Sequence, residues 1–202
     1  MIKNVVFDIG NVLVDFNWLG VMRGLSFTDD EIRKAAGLII GTKYWDNLDA
    51  GIMPEQEAVD IMKGLLPEIA DKLQAFWEHL EETIQVYPYS DGWLKGLQER
   101  GYKTFLLSNY PKTLFQKNEK DQFTFLPYTD GRIISSYVQK LKPNADIYNC
   151  LLETYGLKAE ETVFIDDKKV NVEGAEAVGI RAILFDNFEN VNAKLEEMLA
   201  EK

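Results

Sequence analysis

Three short apolar runs end on groups able to do chemistry. Val5-Val6-Phe7 runs into Asp8, Phe105-Leu106-Leu107 into Ser108 and Asn109, and Val163-Phe164-Ile165 into Asp166 and Asp167. Such runs read as strands buried on both faces, which belong in parallel sheets covered by helices. In an open parallel sheet the carboxyl ends of the strands line the ligand crevice, so these polar groups should meet in one place. Three carboxylates in one cleft repel each other and raise their own pKa values unless something positive intervenes. A hard divalent cation answers that need: Mg²⁺ accepts one or two carboxylates, keeps several waters and takes phosphate oxygens from a substrate. A phosphate ester then gives the remaining groups a task. Ser108 and a following backbone N–H, that of Asn109, can donate to its oxygens, and a lysine can hold its charge. The first candidate is Lys142, which precedes Pro143 in "QKLKPNADIY" and so lies in a loop ahead of a helix, with Lys140 in reserve. Asp8, at its strand tip, could attack phosphorus and form an aspartyl phosphate that water hydrolyses. Carboxylates at strand ends also serve as helix caps, which is the competing structural role.

The elements that must position these groups fall into two textures. Residues 16 to 85 read as helical throughout: "TDDE" at Thr28 to Glu31 is a capping box opening a helix towards Ile40, and Pro54 and Pro67 stand at first-turn positions of two more. In the last, Ile69, Leu73, Phe76, Trp77, Leu80 and Ile84 form one apolar stripe, leaving Glu78, Glu81 and Glu82 to solvent. From Pro88 onward helix and strand patterns alternate, with Ser90 as a helix cap, a strand at "YKTFLLSN", a helix ending at Gly156 and strands at "TVFIDD" and "IRAILF". Alternation of this kind argues for a parallel sheet with right-handed crossovers. The expected architecture is α/β: a parallel-sheet core from residues 1–15 and 86–202, with a small helical block, 16–85, inserted after the first strand.

Composition narrows the function. The chain has 202 residues, of which 46% are hydrophobic, enough for a sizeable core. A formal net charge of -11 makes an extended phosphate backbone a poor partner, since nucleic-acid binding depends on Lys and Arg neutralising phosphates. A small phosphorylated metabolite stays compatible with that charge, because a metal and local cations can reverse the field inside one cleft. The single cysteine, Cys150, reads as a small buried hydrophobe in a reducing compartment. No stretch approaches ~18 uninterrupted apolar residues, and the start lacks a signal-peptide pattern, so the expectation is a cytoplasmic protein with no membrane partner. Oligomeric state is left open.

Together and in this order, "FDIGNVLVD", "LLSN", "KLKPNADIY" and "FIDDKKVNVEGAEAVGI" resemble the four motifs of the haloacid dehalogenase superfamily, and the resemblance covers essentially the whole chain. It implies a Rossmann-like core with a mobile helical cap. The cap stretch "YWDNLDAGIMPEQEAV" and the "DxGNV" form of the first motif are similar to sugar phosphatases of the alpha-glucose-1-phosphate phosphatase kind. Carried over, Asp8 is nucleophile and metal ligand, the Gly10 carbonyl a second ligand, Ser108 and Lys142 the phosphate holders. Asp167 is the favoured direct ligand of the acidic pair, with Asp166 direct or through water. Most phosphatases of the superfamily carry a second aspartate where this chain has Gly10, and glycine moves no proton. General acid–base help is typically worth roughly 10²–10⁴-fold. Either the leaving group is good, as an anomeric oxygen would be, or another group substitutes, or the protein is a catalytically weak phospholigand-binding or regulatory member. The metal-free dehalogenase branch also lacks that aspartate, but its acidic loop is not expected to read "DD".

Several residues carry two readings. Asp15 is a conceivable stand-in acid, with a place in the hinge favoured. Tyr44 and Trp45, and less so Trp18, could wall a sugar ring or simply be core. Asn11 could touch substrate but is expected to shape the nucleophile loop. His79, the only histidine, sits among glutamates as a solvated group. Asn171 reads as a helix cap, with indirect metal orientation as the alternative. The aromatic stretch 123–131 is expected to pack on the core's edge.

Overall fold

A computed structural model describes residues 1–39 and 42–201. The chain begins with β1 (Asn4–Phe7) and β2 (Val14–Phe16), followed by five helices: α1 (Trp18–Gly24), α2 (Asp29–Ile39), α3 (Lys43–Asp49), α4 (Glu55–Leu65) and α5 (Ala70–Glu78). Then come β3 (Ile84–Val86), α6 (Ser90–Glu99), β4 (Lys103–Ser108), α7 (Lys112–Asp121), β5 (Gly131–Ile134), α8 (Ser135–Val138) and α9 (Ala145–Tyr155). The last elements are β6 (Thr162–Asp166), α10 (Lys169–Ala177), β7 (Arg181–Leu184) and α11 (Phe188–Ala200).

Five strands make one parallel sheet in the order β5-β4-β1-β6-β7, with helices on both faces. The two-residue period of a strand sorts the apolar runs. Val5, Phe7, Leu106, Val163 and Ile165 join Leu94 and Leu97 of α6 and Leu195 of α11 in one core. Val6, Phe105, Leu107 and Phe164 join Ile147, Tyr148 and Leu151 of α9 and Ala175 of α10 in the other. Each buried Val, Leu, Ile or Phe among them contributes about 1.5–3 kcal/mol. A one-residue slip would exchange the two faces, so the register is strongly specified. That register sets Phe7 opposite both Leu106 and Ile165. The next residues, Asp8 and Asp166, are therefore held level at the same edge.

The helical block departs from expectation at its ends. Phe16, Ile84 and Gln85 are not helical but belong to an antiparallel ribbon, in which Val14, Asp15 and Phe16 face Val86, Gln85 and Ile84. The long apolar stripe from Ile69 to Ile84 is also broken: a 3₁₀ turn at Pro67–Ile69, α5, and a second 3₁₀ turn at Leu80–Thr83. Pro54 sits one position earlier than expected, as the cap of α4. The capping box is made as read, Thr28 N donating to Glu31 Oε2 (2.7 Å) and Glu31 N to Thr28 Oγ1 (3.3 Å). Ile40, towards which that helix was expected to run, lies outside the described residues. Ser90 is the first helical residue rather than the cap, and its hydroxyl donates to Leu13 O at 2.7 Å, tying α6 to the loop after β1. Cys150 is half-buried, not core. Phe123 and Phe125 are buried and stack on each other at the core's edge. Among the described residues no helix is long and apolar enough to cross a membrane.

The helical insertion touches the sheet domain at Gly51, just past α3. Its φ is +65°, and a Cβ there would overlap the carbonyl oxygen of Ser136 in α8. Gly51→Ala should therefore lose about 1–3 kcal/mol through overpacking and strained backbone, measured by urea unfolding at unchanged m-value.

Candidate active site

The strand ends bring Asp8, Ser108, Asp166 and Asp167 together, and the loop before α9 adds Lys142. Lys142 is 4% exposed, and its Nζ lies 2.8 Å from Asp8 Oδ1 and 2.7 Å from Asp166 Oδ2. Burial pulls its ammonium down, but the two carboxylates outweigh that and hold it above its ordinary pKa. Asn109 fixes the lysine's backbone from both sides: its Oδ1 accepts from Lys142 N at 2.9 Å and its Nδ2 donates to Lys142 O at 3.0 Å. The Asn109 side chain is thus committed to the Lys142 loop, which leaves its backbone N–H as the group that could meet a phosphate. Lys140 does not line the cavity that these groups share.

Asp8 follows β1 and is 7% exposed. Its Oδ1 accepts from Ile9 N (2.7 Å) and Ser108 Oγ (2.7 Å) as well as pairing with Lys142. Among the described residues its hydrogen bonds all fall on Oδ1, so Oδ2 is left to the cleft. Burial pushes its carboxyl up to about 6; Lys142 opposes this, while Asp166 and Asp167 add to it. A cation among these carboxylates would favour the charged form.

The acidic pair divides its work. Asp166 is fully buried and saturated: Lys142 Nζ donates to it, Lys168 N donates at 2.8 Å, and Asn171 Nδ2 lies 2.9 and 3.0 Å from its two oxygens. Asn171 is therefore not a helix cap. It is the third residue of α10, behind the Lys168 cap, and its side chain points back at Asp166. Asp167 faces the other way; its Oδ2 accepts from Asn11 Nδ2 at 2.9 Å, and its buried Oδ1 has no partner. Oxygens of Asp8, Asp166 and Asp167 lie within 4.8 Å of one another. An orphaned carboxylate oxygen beside two more carboxylates is a hard, all-oxygen donor set of the kind that suits Mg²⁺.

The cavity over this cluster is lined by Gly10, Asn11, Ser108, Lys168 and an apolar wall of Phe16, Trp45, Ile84 and Leu114. Trp45 is on that wall and Tyr44 is not. Neighbouring helical residues point about 100° apart, and Tyr44 packs against the core's rim with Lys43 over its ring. Asp15 also stays off the wall: it sits on β2, across from Gln85, and its carboxylate faces the Tyr87 phenol. Trp18 lines the adjoining groove. Asn11, with φ of +56°, shapes the loop after Asp8. His79 is exposed and meets Glu82 at 2.7 Å, away from the site. A Cβ added at Gly10 would meet nothing within 4 Å.

Phe16, Ile84, Leu114, Lys168 and one carboxylate of the lining escaped the sequence reading. Asp49, the last residue of α3, is 7% exposed and its Oδ1 has no hydrogen-bond partner among the described residues. Burial pushes its carboxyl up to about 8; Lys168 and Lys142 pull against that, and Asp46 and Asp8 add to it. The one signal in the sequence is its place: a carboxylate at a helix C-terminus opposes the macrodipole, and here it directly precedes the Ala50-Gly51 turn.

A model of the haloacid dehalogenase-like hydrolases matches residues 2–179. A sesquiterpene phosphatase of Aspergillus oryzae is 24% identical over 88% of this chain and 87% of its own length. A phosphorylated carbohydrates phosphatase of Thermotoga maritima is 28% identical over 89% and 82%. The crystal structure of a HAD family enzyme of Bacteroides thetaiotaomicron, in complex with magnesium and inorganic phosphate, superposes with a TM-score of 0.75 at 21% identity, covering 95% of this chain and 99% of that one.

The buried Asp49 carboxyl sets a pH dependence of stability. Its folded pKa lies above the unfolded value, so between about pH 4 and 8 the unfolded chain has released a proton that the folded one keeps, and stability falls as pH rises through that window. Asp49→Asn removes this loss. In EDTA the variant should gain Tm over the wild type at pH 8 and show a smaller gain at pH 5, read by thermal melts.

Proposed function

The chain belongs to the haloacid dehalogenase-like hydrolases, and from that premise we propose that it is a Mg²⁺-dependent phosphatase of small phosphate esters, sugar phosphates first. One observation carries the reading: a buried Asp8 with Oδ1 pinned and Oδ2 turned to the cleft, beside a lysine held by a second carboxylate. Asp8 Oδ2 attacks phosphorus, the ester oxygen leaves, and water then attacks the aspartyl phosphate to release inorganic phosphate and regenerate Asp8. Lys142 holds charge on the phosphoryl oxygens, and its ammonium cannot swing away because Asp166 anchors it. The Ser108 hydroxyl and the Asn109 backbone N–H donate to the same oxygens. Asp8, Asp167 and the Gly10 carbonyl would hold Mg²⁺, with Asp166 behind them. When bound, the ion neutralises charge on the phosphoryl group and on the carboxylates around it.

The alcohol side of the ester meets Phe16, Trp45, Ile84 and Leu114 on one side and Asn11 and Lys168 on the other. A sugar ring, with apolar faces and polar edges, suits that mixed wall. The fungal relative is named for a sesquiterpene substrate, and the apolar side of the wall gives that second reading a physical basis. A helical insertion turning over the site would exclude bulk water from the reaction. The alternative role, binding a phospholigand without turning it over, rests on the missing proton donor at Gly10.

Phosphate release from sugar phosphates, a farnesyl phosphate and p-nitrophenyl phosphate tests these readings. With Mg²⁺ the wild type should turn over at least one ester, while Asp8→Asn or EDTA should cut release by at least about 10³-fold. An ester that binds in Mg²⁺ but is recovered intact would establish the binding role instead.

A further inference from the structure

Gly10 leaves a phosphatase without its usual proton donor, and the cavity offers one from the opposite side. Asp49 is buried and lines the same cavity as Asp8, Ser108 and Lys142, and its buried Oδ1 has no hydrogen-bond partner among the described residues. Its place is built from both sides. Ser135 Oγ donates to the Asp49 carbonyl and accepts from Tyr110 N at 2.9 Å, and Gly51 packs its bare Cα against Ser136. A buried carboxyl with an unsatisfied oxygen costs stability unless something else meets it. The groups facing it are Lys168 at the start of α10, Asp46 on α3, Asp8 at the end of β1, Lys142 before α9 and Tyr110 after β4. Burial and the C-terminal end of α3 both favour its protonated form, the form that a general acid needs at the start of the cycle.

We propose that Asp49 is the acid–base group of the reaction, serving from the helical insertion in place of the side chain absent at Gly10. The inference rests on the phosphatase reading. As Asp8 Oδ2 bonds to phosphorus and the P–O bond to the alcohol breaks, Asp49 gives its carboxyl proton to the departing oxygen, and the alcohol leaves neutral. Water then attacks the aspartyl phosphate, the Asp49 carboxylate takes one of its protons, and the bond between Asp8 and phosphorus breaks. Each cycle returns Asp49 to its protonated state. The space at Gly10 is thereby left to the substrate.

The test separates leaving groups. Glycerol phosphate departs as a basic alkoxide and needs the proton; p-nitrophenyl phosphate leaves as a stable phenolate and does not. In the Mg²⁺-loaded protein, first-turnover alcohol release by Asp49→Asn should fall about 10²–10⁴-fold for glycerol phosphate and by less than about tenfold for p-nitrophenyl phosphate. Adding Gly10→Asp to that variant, where an added Cβ meets nothing within 4 Å, should recover at least about tenfold on glycerol phosphate. Equal losses on the two esters, no loss on glycerol phosphate, or a folded double variant that recovers nothing would overturn the assignment while leaving the phosphatase reading intact. If Asp49→Asn does not fold, judged by circular dichroism, Asp49→Ser takes its place in the same comparison. A wild type that releases alcohol from neither of these esters, nor from the sugar and farnesyl phosphates, would overturn both readings.

Discussion

Everything at this site depends on one buried ammonium between two buried carboxylates. Lys142 contacts Asp8 at 2.8 Å and Asp166 at 2.7 Å with almost no exposure of any of the three side chains. Removing one partner from such a group leaves an uncompensated buried charge, which costs far more than the pair contributes over well-packed apolar residues. The surrounding structure accordingly supplies each member with further partners. Asp166 receives the Lys168 backbone and Asn171, Asp8 receives Ile9 and Ser108, and the lysine's own backbone is bracketed by Asn109. The parallel register of β1, β4 and β6 then serves electrostatics as much as packing, because it brings these charges to one level.

The contrast between Asp166 and Asp167 shows how one strand end can do two jobs. Consecutive residues leave a strand on opposite sides. One carboxylate is turned inward and spent on four hydrogen bonds; the other is turned to the cleft with an oxygen to spare. The inward one orients the lysine and the first turn of α10, while the outward one is free for whatever the cleft admits.

Much of this was legible in the chain. Polar residues closing apolar runs located the crevice, and the capping box, the glycine cap at Gly156 and the alternation after Pro88 set most of the sheet and its helices. What was not legible follows a physical pattern. Three-residue strands such as β2 and β3 carry too little periodicity to stand out beside helices, so the ribbon was read as part of the helical block. Asn109 and Asn171 have side chains whose partners are chosen by tertiary contact, and their amide chemistry suits a cap or a phosphate equally well. Asp49 owes its raised pKa to burial, a property that no local window of sequence contains.

The ribbon has a consequence of its own. Its two strands are the places where the chain passes between the sheet and the helical insertion, and Phe16 and Ile84, directly paired across it, both line the cavity. A molecule seated against that wall is therefore leaning on the joint itself. Any change in the angle of the joint alters the width of the seat, and any occupant that fits only one width selects one angle. Were the insertion to turn about this joint, size discrimination and closure would be a single mechanical variable.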